Sequence, residues 1–373
     1  MVIKNVIIDQ QGALQSSGGG MVVTGVQDWT LVDVLFKKSY RFNFLALSQA
    51  VGVPNRTGTA TFSNASAAVA GIGTAFLTEL AVGDILKTAG GQFGRVEVIT
   101  NNTSLTLTMP WGYATETGVT FKVIEPNSGH QFTRVRYEGT LAPADENGGI
   151  DASGYGLFDD AVLTDCEAMD ANDGGCGFVP DHARFIHLLR PVSHGNDNSG
   201  ISLETCEDSL ITDPVTDGNG ENGIQYISGT SRCDTVRGRS QGNVKDGYVV
   251  TFNTPNAGIP RSNTFTDSIG MLNGGYAFRS NGADFTEFDN VLGKNNDTGG
   301  AIVNESNSRQ PNQTSIHDSE FFDDRVVKSQ DRGIYVVSGT NTLVTDNTAL
   351  NSLHVIAGIV DNGTNTTSMG NTV

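Results

Sequence analysis

The sequence predicts an all-β protein built as a right-handed parallel β-helix, a solenoid of stacked coils, with a small β-domain inserted near its beginning. Three observations carry that expectation. Only 17% of the 373 residues are charged and 46 are glycine, more glycine than helical packing tolerates. A Gly-apolar-x-apolar pattern recurs at Gly177, Gly200, Gly223, Gly247, Gly275 and Gly300, in steps of 23, 23, 24, 28 and 25 residues. Those steps suit one solenoid coil and are too short for strand-helix-strand units with their loops.

Within each unit, the residues one and three places after the glycine alternate with mixed positions, as a strand with one buried face requires. The first set is Phe178, Ile201, Ile224, Tyr248, Tyr276 and Ala301; the second is Pro180, Leu203, Tyr226, Val250, Phe278 and Val303. All twelve are assigned to the core, with Pro180 the awkward member because it cannot donate to a ladder. Four places before the glycines stand Asn196, Asn219, Asn243 and Asn296, with Asp173 in the same place one coil earlier. Asparagine tolerates left-handed backbone and hydrogen-bonds along a stack, so these residues predict a turn ladder.

The expected organisation is N-terminal coils over 1–55, an inserted β-domain over 56–125, and the main solenoid over 126–373. The texture changes at GTATFSNASAAVAGIGTAF and returns to the coil pattern at HQFTRVRYEGT. No capping helix is evident at either end, which leaves strand edges to be covered in an oligomer or by further chain.

With 23 Lys and Arg against 41 Asp and Glu, the net charge is −18. Such a chain repels phosphate backbones, so nucleic acid is excluded as a partner. The opening MVIKNVIIDQQG has neither the charged start nor the apolar run of a signal peptide, and no stretch is long enough to insert into a membrane. Cys166, Cys176, Cys206 and Cys233 show no zinc spacing and read as buried free thiols.

In a parallel stack, equivalent positions on successive coils lie about 4.8 Å apart and form columns along the surface. The outward position four after the glycine carries Asp181, Glu204, Ile227, Thr251, Arg279 and Asn304; the position two after carries Val179, Ser202, Gln225, Val249, Ala277 and Ile302. Asp181 and Glu204 are therefore expected to stack, at a spacing that makes ionisation of both costly and suits a retaining glycosidase pair. His182 is the candidate proton shuttle beside them, in a cluster with His187 and His194. The competing reading of the pair is two solvated carboxylates on an ordinary polar face. No metal is predicted; calcium, held by Asp159, Asp160 and Asp181, is the one cofactor left open. Ser202, Gln225 and Arg279 are candidates for bonding sugar hydroxyls, and Trp111 and Tyr113 for stacking on sugar rings or closing the inserted domain.

Two resemblances follow from these residues. The run Cys176-Gly177-Phe178-Val179-Pro180-Asp181 and, one coil on, Gly200-Ile201-Ser202-Leu203-Glu204 resemble the catalytic coils of mannuronan C-5 epimerases, in the pectate-lyase-like β-helix superfamily. The likeness spans about Asp159 to Asn253. The family's Tyr-Gly-Phe-Asp-Pro-His run places its tyrosine on Cys176, its aspartate on Val179 and its histidine on Asp181. Its second aspartate falls on Glu204 and its Arg-His pair near Glu221 and Asn222. The inserted segment is similar to a small β-domain of bacteriophage tail and receptor-binding proteins. Together these resemblances imply an extracellular or virion-associated homotrimer whose partner is a polysaccharide. The leading expectation is a tailspike-like depolymerase hydrolysing glycosidic bonds through Asp181 and Glu204. The alternatives are a lyase or C-5 epimerase acting on a uronate polymer, and a non-catalytic glycan-binding or structural spike.

Overall fold

The computed structural model describes residues 1–9, 20–24, 26–39, 43–47, 54–140, 153–172, 174–253, 258–326, 330–350 and 357–373. Asp173 lies outside them. The described chain is nearly all β, and its one helix is the single turn Phe76–Glu79.

Each coil of the solenoid contributes three short parallel strands. In one coil these are Phe178–Asp181, Arg184–Leu189 and Val192–His194; in the next, Ile201–Glu204, Leu210–Thr212 and Val215–Asp217. The first strands stack into an eleven-stranded parallel sheet, called here the groove face, and the other two into a sheet of 21 strands. The N-terminal stretch joins the same stack, Val2–Asp9 pairing in parallel with Thr30–Ser39.

The twelve positions assigned to the core are all buried. Their rings stack from coil to coil: Tyr248 and Phe278 lie 4.8 Å apart and 3° from coplanar, and Tyr226 lies 5.0 Å from Phe265. Continuous burial of this kind, at roughly 25 cal/mol per Å² of apolar surface, is what holds coils that could not fold alone. All four cysteines are buried, and Cys166, Cys206 and Cys233 are free thiols. Pro180 interrupts no more than it must, because the strand pairs with the next coil on either side of it, at Phe178↔Ile201 and Asp181↔Glu204.

One register differs from the glycine-led alignment. Tyr248 pairs with Phe278, not Tyr276, and Phe278 pairs with Ala301. Ala277, not Gly275, occupies the place of Gly247 and Gly300. The exchange is accommodated across the corner. Ser193 and Ser240 donate to the carbonyls of Gly200 and Gly247 there, whereas Gly270 and Gly293 leave room for the Ala277 methyl. Because the slip is even, Phe278 stays in the core and Arg279 stays outside, but Tyr276, forecast for the core, leaves it and lies under Arg279 instead.

The corrected register completes the asparagine ladder. Asn196, Asn219, Asn243 and Asn273 each pass an Nδ2 hydrogen bond to the next asparagine, ending at Asn296, over 2.9 to 3.0 Å. The left-handed residues are the ones just before them, Gly195, Gly218, Gly242, Leu272 and Asn295, rather than the asparagines themselves. A second corner carries a ladder with no sequence forecast. Asp33, Arg134, Asp165, Arg190, Asp213, Arg237 and Asp267 succeed one another, all at positive φ, with Arg134–Asp33, Arg190–Asp165 and Arg237–Asp213 contacts of 2.6 to 2.7 Å.

Strands between Thr59 and Ile124 form a separate seven-stranded antiparallel sheet around Phe62, Phe76, Leu105, Trp111 and Phe121. The coils before and after it are neighbours, since Gln131 pairs with Thr30.

Asn219→Ala removes the amide bonds to Asn196 and Asn243 and leaves the buried Asn196 backbone N–H without its acceptor. It should destabilise the protein by about 2 kcal/mol, read as a lower midpoint in denaturant; an unchanged midpoint would deny the ladder a structural role.

Candidate functional site

The groove-face strands end in a column running Gly156, Asp181, Glu204, Ile227, Thr251, Asn281 and Asn304. Asp181 and Glu204 are direct partners in it, one inter-strand spacing of about 4.8 Å apart. Arg279 is not in this column. It stands with Ser202, Gln225 and Val249 in the adjacent one, two residues from its forecast position.

Above the pair lies the antiparallel sheet, and the two enclose a cleft of about 270 Å³. Its floor is Asp181, His182 and Glu204; its opposite wall is Phe93, Tyr113 and the Met109–Pro110 turn. His182 has left-handed backbone at the strand end. Its Nδ1 lies 2.6 Å from Asp181 Oδ1, and its ring meets Phe93 edge-on at 4.6 Å. Arg95 reaches across from the antiparallel sheet to Asp159 at 2.8 Å, where both side chains are nearly buried, and Asp159 also accepts the Arg184 backbone N–H. This ion pair fastens the wall to the floor.

The electrostatics separate the carboxylates. Burial, reinforced by the Asp181 charge, pushes the Glu204 carboxyl above its ordinary range, against a hydrogen bond from Ser202 Oγ at 3.0 Å. Ser202 in turn accepts from Gln225 Nε2 at 2.9 Å, and Gln225 accepts from Asn222 Nδ2. The chain of donors occupies one Glu204 oxygen. Burial, with the nearby Asp181 charge, also drives the Tyr113 phenol up to about 12, so it remains a donor across the neutral range.

Several expected roles do not fit these positions. Ser202 is fully buried and touches Glu204, not the cleft surface. Trp111 is 1% exposed, packed 4.6 Å from Phe62 with its Nε1 donating to Ala114; it closes the antiparallel core and offers no ring face. Arg279 is held by Asp246 at 2.8 Å. The histidines do not cluster: His187 meets Thr212 and His194 meets Glu167, both on the larger sheet. Asp159 stands opposite Arg184 on the larger sheet and is committed to Arg95, so Asp159, Asp160 and Asp181 do not come together as a calcium site. Among the described residues, the one close grouping of metal-type donors is Asp289, His317 and Asp318, with Glu287 on His317 Nε2. Phe93, Arg95 and Arg184 line the cleft without any signal in the sequence.

No family model and no curated protein sequence matches the chain. Solved structures do. An A-module of an Azotobacter vinelandii mannuronan C-5 epimerase superposes with a TM-score of 0.58 at 13% identity, over 95% of this chain and 76% of that one. A second such A-module from the same organism gives 0.54 at 13%, over 99% and 90%. The Dettilon tailspike protein gives 0.53 at 11%, over 66% of this chain and 52% of its own. The fold is a right-handed parallel β-helix. Cys176 and Val179, on which the sequence resemblance places the epimerase tyrosine and aspartate, are both buried.

Because its native carboxyl holds its proton more tightly than in the unfolded chain, Glu204 costs stability once pH rises past the ordinary glutamate value of about 4.3. Glu204→Gln should therefore melt higher than wild type at pH 7, with the gain vanishing below pH 4. An equal or lower melting temperature at pH 7 would mean that Glu204 is not held in a desolvated site.

Proposed function

We propose that this β-helix is a polysaccharide depolymerase of the tailspike kind, a glycoside hydrolase working in the cleft between the groove face and the antiparallel sheet. The observation that carries the reading is the direct pairing of Asp181 with Glu204 beneath an aromatic wall. Pairing sets their backbones about 4.8 Å apart, within reach of the ~5–5.5 Å carboxyl separation of retaining glycosidases. Glu204, whose proton is held by burial, donates it to the glycosidic oxygen as the bond to the anomeric carbon breaks. Asp181 attacks that carbon through Oδ2, since Oδ1 faces His182, and a glycosyl ester forms. Water then adds to the anomeric carbon while Glu204, now a carboxylate, takes its proton. The ester breaks, and the net change is one water added across one glycosidic bond. Tyr113 supplies a hydroxyl donor on the wall, and the 79° edge contact of Phe93 holds His182 in place.

Lyase or epimerase chemistry needs a base at the sugar C5 and a cation for the uronate. The residues at the epimerase-like positions, Cys176 and Val179, transfer no protons in a buried apolar setting. A virion-associated or extracellular homotrimer is the assembly this proposal entails.

On a panel of neutral and acidic polysaccharides, wild type should release reducing ends without ultraviolet absorbance, and Asp181→Asn and Glu204→Gln should each lower the rate by about 10²–10⁴-fold. Absorbance gain would make the protein a lyase. Cleavage that survives both substitutions would move the chemistry elsewhere, and binding without any cleavage would leave a spike that only holds its glycan.

A further inference from the structure

The column that begins with Ser202 and Gln225 continues along the groove face through Val249, Arg279 and Ile302 to Tyr335. Five inter-strand steps of about 4.8 Å place Tyr335 ~24 Å from Ser202 and the carboxylate pair. Beside it runs a shorter column of Tyr276, Gly299 and Arg332. Gly299 is needed there, because a Cβ would come within 2.5 Å of the Tyr276 ring. The two tyrosines carry one guanidinium each: Arg279 lies 5.3 Å from the Tyr276 ring centre and Arg332 4.3 Å from that of Tyr335.

The two arginines differ in charge balance. Arg279 is neutralised by Asp246, whose carboxylate also accepts the Tyr276 backbone N–H at 2.7 Å. The Arg332 side chain has no ion-pair or hydrogen-bond partner among the described residues, and its buried Nε faces no acceptor. Arg134, Arg190, Arg232, Arg237 and Arg309, by contrast, are each bound to a carboxylate. Arg56 and Arg261 also lack a carboxylate partner among the described residues, but Arg332 is the one of the three that lies over an aromatic ring, 4.3 Å from the Tyr335 centre on the groove face. A planar fork of donors with no anion of its own is suited to a carboxylate or sulfate.

We infer that Arg332, stacked on Tyr335, is a distal subsite for an acidic sugar residue of the polymer bound along the groove face. The inference rests on the reading of that face as a polysaccharide groove. Tyr335 fixes the guanidinium plane, leaving its N–H edge to the sugar's anionic oxygens, and Arg279 with Tyr276 continues the surface toward the cleft. The subsite lies several sugar residues from the bond above Asp181 and Glu204, so it acts on long chains and not on short fragments.

The test uses the full chain carrying Glu204→Gln, which binds without cutting, in affinity electrophoresis through gels containing alginate, polygalacturonate or, as the neutral control, dextran. At least one acidic polymer should retard it, and adding Arg332→Gln should weaken that binding at least about tenfold. Arg332→Lys, which keeps the charge and loses the planar fork, should restore it only in part, with melting temperatures of all variants compared to confirm folding. Retardation by no acidic polymer, or retardation indifferent to both Arg332 substitutions, overturns the subsite. Arg332-dependent binding of a polymer from which wild type releases no reducing ends would keep the subsite and defeat the hydrolase reading. Cleavage of dextran with no acidic binding would do the reverse.

Discussion

The solenoid and the groove face it presents depend on parallel, in-register stacking of coils. Once a strand pairs with its equivalent one coil later, side chains of the same position are forced to within about 4.8 Å of each other, and each column must find a chemistry that tolerates repetition. Apolar rings stack inside the core. Amides solve the problem at one corner, since each asparagine both donates and accepts. Carboxylates cannot solve it alone, and the pairing of Asp181 with Glu204 is the place on the groove face where like charges are left in direct succession. Burial and the neighbouring Asp181 charge raise the Glu204 carboxyl above its ordinary range, and the antiparallel sheet forms the opposite wall of the cleft over both.

What the sequence made legible follows from the same constraint. Strands one coil apart with no intervening insertion were readable, so the core positions and the Asp181–Glu204 pairing followed from a period of 23 residues. The glycine repeat loses the register where the coil after Thr251 is longer, because Ala277 stands in the glycine's place there; Asn273, four residues before it, keeps the register. Side-chain contacts were less visible than faces. Ser202 lies on the expected face yet is sealed beneath its neighbours, and Trp111 spends its ring on Phe62. The cleft itself had no local signature, since Phe93 meets His182 and Arg95 meets Asp159 across long stretches of chain that no periodicity connects.

The site is also split by origin. Its carboxylates belong to the repeating β-helix, whereas Phe93 and Tyr113 come from the antiparallel sheet set between two neighbouring coils. The Arg95–Asp159 pair is nearly buried at both ends, so its loss would leave an uncompensated charge at the junction. Wall and floor are thus held by a contact that is costly to break, even though the two are built by different folding rules.

The charged corner has a consequence for how such a chain can lengthen. Acid and base alternate there from Asp33 through Arg134, Asp165, Arg190, Asp213 and Arg237 to Asp267, so the repeating unit of charge is two coils although the repeating unit of backbone is one. Copying a single coil within this stretch would set aspartate on aspartate or arginine on arginine. Copying a pair of coils would preserve the order, which makes the doublet the natural step of growth by duplication for this side of the solenoid.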